Sequence, residues 1–152
     1  MYKKGNHDIK ELQDAVYNRI VELGEQGDQL AEKMKLEEAI LKYQQALKLL
    51  PEPIYLWEAS TWLFAAIGDA YYFSEQYDRG LNAFLEAQKC PNALDNPFIC
   101  MRIGECFYEM GNFEKAESYL LGAYMLNGKE VFLEEEPKYW NFLEKRIAKQ
   151  PK

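Results

Sequence analysis

Three small residues recur at fixed offsets along this chain, and that internal period constrains the fold more than any other feature. Gly27, Ala39 and Ala46 form one set, Gly68, Gly80 and Ala87 a second, and Gly104, Ala116 and Ala123 a third. Within each set the steps are 12 and then 7 residues, and between sets every position moves by 41 and then by 36. Large residues keep the same register. Leu30, Tyr71 and Phe107 lie three after the first anchor, and Tyr43, Phe84 and Leu120 four after the second. A period of this size marks supersecondary units that cannot bury an apolar face alone and must stack on one another.

The unit is helical. Ala39, Ile40, Tyr43, Ala46, Leu47 and Leu50 fall at steps of three and four, one face of a helix, while Lys35, Glu37, Glu38, Lys42, Gln44 and Lys48 take the other. The pattern predicts helices over Asp8–Met34, with Asn6 or Asp8 as N-cap, and then over Leu36–Leu50, Ile54–Ser74, Tyr77–Lys89, Asn96–Met110 and Phe113–Leu126. Asn127-Gly128 is expected to end the sixth helix, Glu130–Glu136 to form a turn, and Pro137 to open a last helix, KYWNFLEKRIAK. The long step between the first two sets is read as two extra turns on the third helix, so that IYLWEAS would project beyond its hairpin.

Composition removes several functional classes. Hydrophobic residues make up 48% and charged residues 28%, a globular balance. Twenty-five acidic against 18 basic residues give a net charge of −7, which argues against a nucleic-acid binder held by phosphate contacts. Ser60, Ser74, Ser118, Thr61 and the single histidine, His7, leave little with which to build a nucleophile and base, so no catalytic residue, cofactor or metal ligand is expected. Cys90, Cys100 and Cys106 are spaced C-x9-C-x5-C, which fits no metal template and suits a reducing compartment. The opening MYKKGNHDIKELQD lacks an apolar core, so it does not read as a signal peptide. The longest nearly uncharged stretch, Ala59–Gly68, is too short to span a bilayer. The expectation is a cytoplasmic protein without a membrane or nucleic-acid partner.

The anchors, read with Ile103-Gly104, Phe107, Gly111-Asn112-Phe113, Ala116 and Ala123, resemble the tetratricopeptide repeat (TPR), a helix–turn–helix unit of about 34 residues. The resemblance implies an all-α right-handed superhelix of three TPR-like hairpins with a C-terminal capping helix. Its repeats would cover approximately 20–53, 61–94 and 97–130 of a single domain over 1–152, with an N-terminal helix extension at 8–19 and a capping segment at 131–150. It also implies a non-enzymatic module that binds a protein or peptide through its concave surface. Transferred by register, that surface holds Val21, Gly24, Glu25, Asp28, Ala31 and Glu32, then Trp62, Ala65, Ala66, Asp69, Tyr72 and Phe73, then Phe98, Met101, Arg102, Glu105, Tyr108 and Glu109. The expected partner-binding residues are Trp62, Asp69, Tyr72, Phe73, Phe98, Arg102, Glu105, Tyr108 and Glu109.

The basic and amide residues that clamp chaperone C-terminal tails are missing from these positions except for Arg102, so a basic or amphipathic partner is expected instead. The surface is either open to that partner or filled by the chain's own termini. The closing third of the chain resembles small bacterial TPR proteins that act as immunity proteins against polymorphic toxins. Secretion chaperones and generic TPR scaffolds are the alternatives, and the aromatic third helix makes a homodimer a further expectation.

Overall fold

The structure, a computed structural model, describes residues 12–149. Seven α-helices follow one another among these residues: α1 (Asp14–Glu32), α2 (Leu36–Lys48), α3 (Glu58–Phe73), α4 (Tyr77–Gln88), α5 (Pro97–Glu109), α6 (Phe113–Asn127) and α7 (Pro137–Ala148). They form three hairpins, α1/α2, α3/α4 and α5/α6, each packed on the next, with α7 closing the far end. This is the expected all-α superhelix with its capping helix.

The anchors do what their spacing implies. A Cβ added at Gly27 would lie 2.6 Å from the Tyr43 ring, one at Gly68 2.8 Å from Phe84, and one at Gly104 2.8 Å from Leu120. In each hairpin, therefore, the large residue of the second helix sits directly on the bare backbone of the first. Ala39, Ala46, Ala87, Ala116 and Ala123 are all fully buried beside these contacts. The hairpin turns repeat just as closely. Met34, Glu75 and Gly111 occupy the same register position and share a positive φ of 60°, 62° and 83°. The next amide in each turn, of Lys35, Gln76 and Asn112, donates back to Leu30, Tyr71 and Phe107 at 2.9 Å. That is the hydrogen bond of a left-handed helix stop, which favours glycine, yet only the third turn has one.

Two expectations need correction. The residues before α3 do not extend it. Pro51 and Pro53 prevent helix, Ile54–Leu56 makes one 3-10 turn, and Trp57 is extended at the N-cap of α3. Trp57 is folded inward rather than projecting: it is 8% exposed, and its Nε1–H donates to the Pro51 carbonyl at 2.8 Å. Ser60 fastens the same loop by donating to the Ile54 carbonyl at 2.6 Å. The first helix begins at Asp14, with Gln13 as its N-cap; the expected caps Asn6 and Asp8 lie outside the described residues.

At the other end, Asn96 caps α5, its side-chain oxygen accepting from the amides of Phe98 and Ile99. The capping helix α7 buries Leu143 completely in a cluster with Cys100, Met101, Leu120, Ala123 and Phe132. Trp140 lies against Tyr124 and Phe132, with ring centroids 5.5 and 5.6 Å away. Arg146 pairs with Glu117 on α6 at 3.0 Å.

The turns give a direct test. A non-glycine residue in the left-handed region costs about 1–2 kcal/mol, and glycine's extra unfolded-state freedom costs about 0.5–1 kcal/mol. Glu75→Gly should therefore stabilise the protein by about 0.5–1 kcal/mol, and Gly111→Ala should destabilise it by about 0.5–1 kcal/mol. Urea unfolding midpoints at constant slope measure both changes. A destabilised Glu75→Gly variant would contradict the turn assignment.

Candidate functional site

The first helices of the hairpins, α1, α3 and α5, line the inner face. At its centre Arg102 projects from α5 and is only 4% exposed. Its Nε donates to Asp69 Oδ1 on α3 at 2.6 Å, and its Nη1 donates to Glu105 Oε1 at 2.8 Å and to Glu135 in the segment before α7. The guanidinium carbon also lies 4.4 Å from the Tyr72 ring centroid, 4.8 Å from that of Phe98 and 5.2 Å from that of Phe73. A planar, weakly hydrated cation is suited to this box of aromatic faces and carboxylates, where a lysine ammonium would be stranded.

Proton placement follows from burial. Glu105 is fully buried, and desolvation pushes it up to about 9 against the pull of Arg102, with the Glu135 carboxylate adding to the rise. At neutral pH Glu105 therefore holds a proton. Its Oε2, which as a carboxylate oxygen would have no partner, can then donate to Glu135. Burial also raises Asp69, restrained by Arg102. Burial acts to lower Arg102, but the negative charge of Asp69, together with that of Glu135, outweighs it and holds the guanidinium charged. The cluster thus combines one cation, two carboxylates and one neutral acid.

The C-terminal segment seals this half of the face. Tyr139 is 1% exposed; its hydroxyl accepts from Tyr72 at 2.9 Å and donates to Glu109 at 2.6 Å. Lys138 pairs with the same Glu109 oxygen at 2.6 Å. Tyr108 stands edge-on to Phe113, Tyr139 and Phe142.

The expected partner-binding residues therefore divide into two groups. Tyr72, Arg102 and Glu105 are buried, and Tyr108 and Glu109 are partly covered. The carboxylates expected from a partner at Arg102 come instead from Asp69, Glu105 and Glu135 of the chain itself, and Tyr72 is committed to Tyr139. Trp62, Phe73 and Phe98 remain open at 41%, 51% and 37% exposure, and Asp69 lies on the border between the two halves. Trp62 and Phe98 flank a cleft of about 370 Å³ floored by Ala65 and Ile99. A second cleft, of about 430 Å³, runs from the α1–α2 turn to α3, between Asp28, Tyr43, Asp69 and Phe73.

Sequence reasoning placed none of Glu135, Lys138 and Tyr139 on the inner face, reading Glu130–Glu136 as a turn and Tyr139 as part of the last helix. The available signal was a lone cation, Arg102, on an otherwise acidic inner face that needed a carboxylate.

No family model and no curated protein matches the chain. Solved structures do. The Yersinia enterocolitica type III secretion chaperone SycD, in complex with a peptide of the translocator YopD, superposes with a TM-score of 0.69 at 19% identity, covering 93% of this chain and 100% of that one. The fold is a tetratricopeptide-repeat fold. PcrH in complex with the chaperone-binding region of PopB has a TM-score of 0.63 at 16% identity, covering 92% of this chain and 98% of that one. The first TPR of Spaghetti, bound to an HSP90 peptide, has a TM-score of 0.67 at 17% identity, covering 86% and 92%. Among the described residues no helix is long and apolar enough to cross a membrane, and no group of three or more His, Cys, Asp or Glu is placed to hold a metal ion.

The buried acid in this TPR face has a pH signature. Glu105 binds its proton more tightly folded, at about 9, than the ordinary value of 4.5, so the folded state carries the extra proton between those limits. Its contribution is present below about 4.5 and is lost as pH rises through about 9. Glu105→Gln keeps an acceptor for Arg102 and supplies a donor for Glu135. The wild-type unfolding midpoint should fall between pH 5 and pH 9 more steeply than that of the variant. Parallel profiles would show that Glu105 does not hold the proton.

Proposed function

We propose that this TPR-fold chain is a non-enzymatic module that holds a segment of a partner protein in the open half of its inner face. The observation that carries the reading is the exposure of Trp62, Phe73 and Phe98 along that face, beside Asp69, while the opposite half is sealed. Aromatic side chains in partly enclosed clefts concentrate binding energy, and the acidic residues beside them favour a basic or amphipathic segment. The complexes of SycD and PcrH with translocator segments support a chaperone-like role over an immunity role, which nothing in the comparisons supports. The partner would be met in the cytoplasm by residues of one domain, with repeats at about 20–53, 61–94 and 97–130. A homodimer is a separate proposal, which sedimentation of the free chain resolves.

The test is affinity capture with the full chain from its native cell, followed by affinity measurement on the purified partner. Trp62→Ala and Phe98→Ala should each weaken binding by about 1–4 kcal/mol. Leu41→Ala, at an exposed position on α2, should leave it unchanged. A partner that binds all three variants equally well would remove the open inner face as the site.

A further inference from the structure

The cleft between α1, the α1–α2 turn and α3 has a composition unlike the rest of the inner face. Asp28 and Glu32 stand on α1 and Asp69 on α3, the aromatic walls are Tyr43 and Phe73, and Ala31, Ala66 and Ala70 keep the floor low. Met34 stands at its rim, 62% exposed on the left-handed turn residue. No lysine or arginine lines it; Lys33 and Lys35 flank Met34 but are exposed and do not enter the lining. Arg102 reaches Asp69 but shares its charge with the Glu135 carboxylate. Asp28 accepts from the Tyr43 hydroxyl at 2.7 Å, which orients it without neutralising it. Glu32 is exposed and makes no ion pair among the described residues.

Resting on the reading of the inner face as a partner site, we infer that this cleft receives a lysine or arginine side chain of the bound partner segment. Charge and shape select that occupant together. A long basic side chain lays its apolar stem on alanine and ring surface while its charged head stays with carboxylates. The half-exposed Phe73 ring offers a face to the same cation. A purely apolar side chain would fill the floor but leave Asp28 and Glu32 facing it. A bare metal ion does not fit, because the three carboxylates do not converge on one point. The negative potential of a cleft with low-dielectric walls also draws a basic segment in before contact.

A random peptide library displayed on phage and panned on the full chain tests this, together with a nuclear magnetic resonance titration by N-acetyl-arginine methylamide and its citrulline analogue. Selected peptides should carry a Lys or Arg beside apolar residues. The double variant Asp28→Asn/Glu32→Gln, whose new amide oxygen on α1 still accepts from the Tyr43 hydroxyl, should bind them about tenfold more weakly while melting as wild type does. The arginine probe, and not the citrulline probe, should shift the amides of Asp28, Glu32 and Phe73. If selected peptides lack basic residues, or bind the double variant equally well, yet lose affinity with Trp62→Ala or Phe98→Ala, the basic cleft is wrong and the partner face stands. If the wild-type chain selects no peptide and neither probe shifts it, both fall.

Discussion

Everything in this molecule depends on how closely the two helices of each hairpin approach. Gly27, Gly68 and Gly104 leave no room for a Cβ beneath Tyr43, Phe84 and Leu120. Three copies of one contact fix three hairpins of one shape, and stacking them sets α1, α3 and α5 side by side. A wider spacing would open voids in a close-packed interior, and a narrower one would drive the rings into backbone. The inner face is a consequence of this spacing. Its width between α3 and α5 is what lets Arg102 touch Asp69 and the rings of Tyr72, Phe73 and Phe98 at once.

On that scaffold one guanidinium divides the face. Burying Arg102 is tolerable only because carboxylates and aromatic faces replace its water, and one of those carboxylates, Glu135, must come from outside the hairpins. Drawing Glu135 in brings the start of α7 over Tyr72 and Glu109, where Tyr139 and Lys138 complete the seal. The same helix, through Leu143, covers the last hairpin. Capping of the array and closure of half its inner surface are thus one act of one segment. What remains open is the stretch from the α1–α2 turn to Phe98, acidic at one end and aromatic at the other.

The hairpins were readable in the sequence because their causes are local and repeated. A glycine, an alanine and a large residue at constant offsets are visible without coordinates, and so was the stop at Gly128. The residues before α3 were misread because surplus length was assigned to helix, although Pro51 and Pro53 and the indole of Trp57 favour a folded loop. The division of the inner face was illegible for a different reason. Arg102 lies 33 residues from both Asp69 and Glu135, and nothing local tells a buried charge from a solvated one. Charged residues default to the surface in any pattern reading, and the expected turn over Glu130–Glu136 gave no sign that Glu135 faces inward. Trp62, Phe73 and Phe98 were reachable by register alone.

The central claim is that the chain's own C-terminal segment closes one half of the inner face and leaves the other half open. Hydroxyl-radical footprinting of the free full chain, read by mass spectrometry at single residues, measures this directly. The account predicts fast labelling of Met34, Trp62, Phe73 and Phe98 and strong protection of Tyr72 and Tyr139, all in the same sample. Labelling of Tyr72 and Tyr139 at the rate of Phe73 would contradict it, because it would mean that the segment from Glu135 to Tyr139 does not occupy the face.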